Sequence, residues 1–186
     1  MKGTGNGWPL ARFFYLSLPL VLGLTLLLGA CRGSLTPEDV VDLYLSDTNQ
    51  GEPEKALERW ELSELGPDLA TLDAEQQRIR MDGRRELATE LTEALSSAGQ
   101  RLSWEQLGAS YYDLGQGLPR AIDGSKEAEL ATVEIRVSVE RAGANALEDG
   151  VAFNLWRSSF KGWRIMSLDK GLSVLRPFLD EVKASQ

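Results

Sequence analysis

The chain has 186 residues, a formal charge of −8, no histidine and one cysteine, Cys31. Without histidine the commonest general base and metal ligand are missing, and a single thiol supports neither a zinc or copper site of ordinary type nor an intrachain disulfide. No cofactor or metal is therefore expected. Of the 20 basic residues, Lys2 and Arg12 lie within residues 1–30, which contain none of the 28 acidic residues. The remainder is more acidic than the total suggests. Such a surface repels polyanions, which argues against nucleic acid as a partner, and gains nothing from an anionic lipid surface. Any membrane attachment has to be hydrophobic or covalent.

Met1 to Arg12 is polar and basic, and Phe13 to Leu28 is apolar except for Ser17 and Thr25. Gly29 and Ala30 follow, small enough for a peptidase cleft, so the order is that of a secretory signal over residues 1–30. Pro19 would kink a permanent spanning helix. Two readings compete: a cleaved signal, or an uncleaved single-span anchor near the lower length limit for crossing hydrocarbon. Leu28-Gly29-Ala30-Cys31 resembles the bacterial lipoprotein lipobox, with Gly29 where that family more often has Ala, Ser, Thr, Val or Ile. The resemblance implies diacylglycerol transfer to Cys31, cleavage between Ala30 and Cys31, and acylation by palmitate-type chains. Two or three chains make such attachment stable where one is marginal. Arg32 replaces the Asp that commonly retains lipoproteins at an inner membrane. The expected location is the extracytoplasmic side of a cell membrane or outer membrane.

A short tether, residues 31–35, leads to a single domain over residues 36–186. Thr36-Pro37-Glu38-Asp39 reads as a helix start, with a capping Thr, Pro in the first turn and acids at the positive end. Four extended residues reach roughly 13 Å, so the domain is expected close to the bilayer. Val40, Val41, Tyr44 and Leu45 give this helix an apolar face, and Asn49-Gln50-Gly51 stops it. A second helix is expected from Glu52-Pro53-Glu54, carrying Ala56, Leu57 and Trp60. A third runs from about Ala74 to Ala98, with Leu87, Leu91, Leu95 and Ala98 as its stripe, a possible break at Gly83 and Gly99 as its C-cap. The acids Glu52, Glu54, Glu58, Glu61 and Glu64 read as a solvated helix face.

The period then changes to two. Arg101 to Leu107 alternates with Leu102 and Trp104 on one face, and Tyr111-Tyr112-Asp113 is assigned to a next strand. Gly115 to Gly124, with Pro119, reads as a loop. Glu129 to Arg141 is the clearest strand, with Ala131, Val133, Ile135, Val137 and Val139 on one side. Glu148-Asp149-Gly150 reads as a turn. Val151 to Ser158 and Trp163 to Leu168 form a hairpin around Ser159-Phe160-Lys161-Gly162. After Pro177, Phe178, Leu179 and Val182 have helical spacing. Helices followed by consecutive strands indicate α+β, with N-terminal helices packed on an antiparallel sheet and a short C-terminal helix.

"TPEDVVDLYLSDTNQGEPEKALERW" and "VAFNLWRSSFKGWRIMSLD" resemble the opening and the last hairpin of the nuclear-transport-factor-2-like superfamily, in particular its lumazine-binding-like lipoprotein branch, whose function is unknown. The resemblance covers roughly residues 36–170 and implies a curved sheet wrapped on helices to form a conical pocket. It does not settle function, since the superfamily holds isomerases, dehydratases and pure binding modules. Its dehydratases use a His–Asp pair that this chain lacks. An isomerase-type site needs an Asp base and Tyr or acid donors in an apolar pocket, and Tyr44, Tyr111, Tyr112 and Asp113 are the available residues.

Other motifs fail on inspection. Gly115-Gln-Gly117 lacks the glycine that a dinucleotide loop needs at Arg120, and Ser158-Ser-Phe-Lys161 falls in a turn without the companions of a serine acyltransferase. Tyr44, Trp104, Tyr112, Phe153, Trp156 and Trp163 are the candidate lining of an apolar pocket, or the fill of a sheet–helix core. The expectation is a lipid-anchored envelope protein, held to the membrane through Cys31, whose domain binds a protein partner or a small apolar ligand without catalysis. The alternatives are an envelope isomerase with a Tyr/Asp pair and an uncleaved single-span protein.

Overall fold

A computed structural model describes residues 35–98, 102–114, 119–141 and 144–169. Contacts divide the chain into Met1–Ser34 and Leu35–Gln186, and the fold below belongs to the second unit. The signal segment, Gly99 and the expected C-terminal helix lie outside the described residues.

Helix α1, Pro37–Asn49, starts as its sequence dictates. Thr36 Oγ1 accepts from the Asp39 amide and Asp39 Oδ2 accepts from the Thr36 amide, so each satisfies a donor the first turn leaves open. The chain turns away at Gly51, whose φ of +73° is costly for any side chain. Helix α2, Pro53–Leu57, is shorter than its apolar spacing predicts. Residues 59–61 leave the helix because strand β5, Gly162–Asp169, recruits their backbone: Ile165 N donates to Arg59 O and Glu61 N donates to Ile165 O, both at 2.9 Å. Trp60 pairs in parallel with Ile165. The segment thereby covers part of a sheet edge.

Helix α3, Ala74–Ala98, runs unbroken through Gly83. Asp73 caps it, its Oδ1 accepting from the Gln76 amide at 2.9 Å. Met81, Ala88, Leu91, Ala94 and Leu95 form its buried stripe, with Leu87 only partly buried.

Among the described residues the sheet has five strands, β1 (Leu102–Asp113), β2 (Arg120–Ile122), β3 (Leu130–Arg141), β4 (Ala144–Ser158) and β5 (Gly162–Asp169), in the order β2-β1-β3-β4-β5, every adjacent pair antiparallel. Strand β1, Leu102–Asp113, is one element where the sequence suggests two. A bulge between Gln106 and Gly108 shifts the register. Trp104 lies on the helix side before it, and Ala109 and Tyr111 lie there after it. An extra residue moves the apolar phase from even to odd positions, which interrupts the alternation without ending the strand.

Strand β2, Arg120–Ile122, falls within the expected loop and pairs only with Tyr111–Asp113. Among the described residues, the outer edge of β1 from Leu102 to Ser110 has no strand partner. Strand β3 is Leu130–Arg141 and β4 is Ala144–Ser158. Glu148-Asp149-Gly150 is therefore not a turn; these residues pair with Ser138, Val137 and Arg136. Their polar character hides a strand that ladder bonds sustain. Strand β5, Gly162–Asp169, follows a tight turn closed by Gly162 at φ +71°.

Helix α1 packs on one face of the sheet and α3 packs on α1 and α2 in the same buried core, an α+β arrangement. Ala131, Val133, Ile135 and Val137 of β3, Val151, Phe153 and Leu155 of β4, and Trp163 and Ile165 of β5 supply that face. Tyr44 sits at its centre, edge-on to Trp60 at 6.0 Å and to Phe153 at 5.9 Å between ring centroids. Its hydroxyl bonds with Thr92 on α3 at 3.2 Å. Burial pushes the Tyr44 phenol well above its usual range. Among the described residues, no helix is long and apolar enough to cross a membrane.

Replacing Tyr44 with Ala removes this three-way contact and leaves a cavity, so urea unfolding should show a loss of about 3–5 kcal/mol. Tyr44→Phe keeps the ring and strands the Thr92 hydroxyl, and should cost only about 1 kcal/mol.

Candidate functional site

Because alternate side chains of a strand face opposite ways, the sheet presents a second surface away from the helices. Tyr112, Leu130, Thr132, Asn154, Trp156 and Ser167 stand on it, out of phase with the buried positions of their strands. A groove of about 380 Å³ opens there, lined by Tyr112, Pro119, Leu130, Thr132, Asn154, Met166, Ser167 and Asp68, with Ala131 and Leu155 beneath. The lining is predominantly apolar with a few placed polar groups, the usual make-up of a small-molecule site.

The polar groups form a ladder across three strands. Thr132 Oγ1 donates to Asn154 Oδ1 at 2.9 Å, and Asn154 Nδ2 donates to Ser167 Oγ at 3.3 Å. A bulge between Asn154 and Leu155 places Met166 beside Ser167 on β5. Asp68 arrives from the loop after the covered edge. A Cβ on Gly66 would lie 2.8 Å from Asp68 Oδ1 and 3.0 Å from Met166 Sδ, so the glycine leaves room for these two side chains where the loop passes the sheet. Buried Arg84 of α3 donates to Asp68 Oδ2 at 2.7 Å and to the Glu61 carbonyl at 3.1 Å, which holds the carboxylate at the groove's margin.

The same loop contains a buried charge. Glu61 is fully buried, contrary to its expected place on a solvated helix face. The helix ends at Leu57, and Glu61 turns inward to close the loop. Its Oε1 accepts from the amides of Ser63 and Glu64 at 3.0 and 2.7 Å, from the Ser63 hydroxyl at 3.0 Å and from Lys161 Nζ at 3.2 Å. Lys161 also reaches Glu64 at 3.3 Å, and Ser158 Oγ donates to Glu64 Oε2 at 3.1 Å. The loop is thus tied to the β4–β5 hairpin. Burial alone would raise the Glu61 carboxyl; the Glu64 and Ser63 donors and Lys161 outweigh it and hold the group below the ordinary carboxylate value. A second opening of about 480 Å³, beside α2 and this hairpin, is more exposed and has Glu54 and Glu58 on its rim.

The structure separates the aromatic residues that the sequence groups as pocket candidates. Tyr112 lines the groove and Trp156 stands on the same face beside Gly66. Tyr44, Phe153 and Trp163 are buried in the helix–sheet layer. Trp104 packs against that layer and donates Nε1–H to Asp42 Oδ1 at 2.9 Å. Tyr111 donates to Glu38 in a very short hydrogen bond, and burial with the neighbouring carboxylate pushes its phenol up to about 12. Cys31 and Ala30 lie outside the described residues. Asp68, Thr132, Asn154, Met166 and Ser167 carry no motif; the signal available was the polar phase of β3 and β4, which reads equally as a wet surface. Among the described residues no group of three or more Cys, Asp or Glu is placed to hold a metal ion.

Compared with models of known protein families, with curated proteins and with solved structures, the chain matches none.

The Glu61 cluster predicts a defined acid response. A carboxyl lowered by folding stabilises the native state above its unfolded value of about 4.5 and loses that contribution as pH falls through the lower folded value. Glu61→Gln should therefore be less stable at neutral pH, by on the order of 2 kcal/mol. The gap should stay constant down to about pH 5 and narrow below about pH 4. Urea midpoints measured at pH 7, 5 and 3.5 check this; a gap that widens on acidification contradicts it.

Proposed function

We propose that this chain is a lipid-anchored envelope protein whose domain, of nuclear-transport-factor-2-like type, binds a small, largely apolar ligand without catalysing its conversion. The observation that carries the binding reading is the groove, an apolar hollow with a polar ladder across its floor. The anchor rests on the order of residues 1–31: basic start, apolar run, then Leu28-Gly29-Ala30-Cys31. The family reading rests on the quoted sequence stretches and on helices packed to one face of an antiparallel sheet. In this reading Cys31 is the mature N-terminus on the extracytoplasmic side of a cell or outer membrane, and the acidic domain stays close to the lipid without being attracted to it. A protein partner at the same groove is the variant of this reading that shares its chemistry.

One observation favours an isomerase-type enzyme: Asp68 and Tyr112 line the same groove. Against it, Arg84 holds Asp68 Oδ2 at 2.7 Å, and the groove opens to water where such chemistry needs exclusion. The other Tyr candidates are committed elsewhere, Tyr44 to Thr92 and Tyr111 to Glu38.

Two experiments test the proposal. Cells fed an alkyne fatty acid should label the wild-type protein, and Cys31→Ser should lose both label and membrane association; intact mass spectrometry that retains residues 1–30 would establish the single-span alternative. For the ligand, solvent extracts of purified wild-type protein should contain a small molecule that is absent from extracts of Ser167→Trp, whose indole fills the groove while the melting temperature stays close to wild type. Identical extracts from the two proteins would sink the small-ligand reading.

A further inference from the structure

Hydrogen counting across the groove floor goes one step past the binding reading, on which it rests. Thr132 and Ser167 each own one hydroxyl hydrogen and Asn154 owns two amide hydrogens. The ladder has two internal bonds, Thr132 to Asn154 and Asn154 to Ser167. Two hydrogens are left over whichever way the amide is turned. As drawn, they are the second Nδ2 hydrogen of Asn154 and the hydroxyl hydrogen of Ser167, and neither has a protein acceptor among the described residues. The Tyr112 hydroxyl on the same wall also lacks one.

The floor therefore has two unmet hydrogens beside open lone pairs, and an unmet N–H or O–H is the costlier deficit against an apolar ligand, while Leu130, Met166 and Pro119 offer only apolar surface. The one carboxylate, Asp68, already has an oxygen satisfied by Arg84. Its remaining charge opposes an anionic acceptor, as does the domain's net negative charge. A cation accepts no hydrogen bond and would leave both spare hydrogens of the ladder unmet.

We infer that the groove selects an uncharged, apolar molecule carrying a carbonyl oxygen, with Asn154 and Ser167 as the specificity-determining donors. The carbonyl accepts both surplus hydrogens, and its carbon skeleton lies against Leu130, Met166 and Pro119. An unsatisfied donor facing an apolar ligand costs more than the bond would yield, so the hydrocarbon analogue is penalised as well as unrewarded.

Three probes sharing one ring system test this: 2-acetylnaphthalene, 2-ethylnaphthalene and 2-naphthoate. They are titrated against the full-length protein in lipid nanodiscs, with partition into protein-free discs subtracted and the Asn154 side-chain amide followed by NMR. The ketone should bind roughly fivefold or more tightly than the hydrocarbon and than the anion, although the hydrocarbon is the more hydrophobic, and it should shift the Asn154 amide. Asn154→Leu, of similar volume, should abolish the preference for the ketone. Ser167→Ala should reduce it while keeping the wild-type fold, which covers the case in which Asn154→Leu does not fold. Equal binding of ketone and hydrocarbon, or equal binding of ketone and anion, overturns this inference and leaves the groove as a binding site. No binding by any of the three, with no shift at Asn154, overturns the groove reading as well.

Discussion

Tyr44 decides where this domain has room for anything else. Its ring meets Trp60 and Phe153 edge-on, and its hydroxyl meets Thr92, so α1, the segment after α2, α3 and the sheet converge on one side chain. Large rings pack closely at that point between the helices and the sheet. Space occupied by Tyr44, Trp60 and Phe153 is not open to a ligand. The candidate groove is displaced to the opposite face, where the strands carry their polar phase.

That displacement gives the loop between α2 and α3 three duties. Residues 59–61 bond to the edge of β5. Glu61 collects donors from the loop itself and from Lys161 of the hairpin. Farther on, Gly66 allows the close approach that sets Asp68 at the groove, where Arg84 clamps it from α3. Core packing, edge protection and the margin of the candidate site are therefore mechanically connected. A change in the buried ion cluster would reach Asp68 through Arg84, which bonds both the Glu61 carbonyl and the Asp68 carboxylate.

Local patterns with a single cause were legible in the sequence. The Thr36–Asp39 cap, the alternation of β3 and the glycine of the last hairpin are each fixed by neighbours a few residues away. What escaped depends on partners distant in the chain. Nothing near Trp60 announces that Ile165 will draw its backbone out of a helix, and nothing near Glu61 announces Lys161. The bulge at Leu107 broke one strand into two because periodicity counts residues and bulges miscount them. The groove was illegible for a different reason: Thr132, Asn154 and Ser167 look like wet surface until the register aligns them in one row.

The edge of β1 has a meaning that a molecule free in solution would not reveal. From Leu102 to Ser110 its backbone has no neighbouring strand among the described residues, because β2 covers only Tyr111–Asp113. On the lipid anchor proposed above, the protein would be confined to two dimensions and would meet its own copies at a high effective concentration and in a shared orientation. Those are the conditions under which bare edges zip together. The kink at Leu107 breaks the row of donors and acceptors midway, so an incoming strand finds no long straight stretch to copy. Under the proposed anchor, that one surplus residue would keep sheet from extending from one copy to the next.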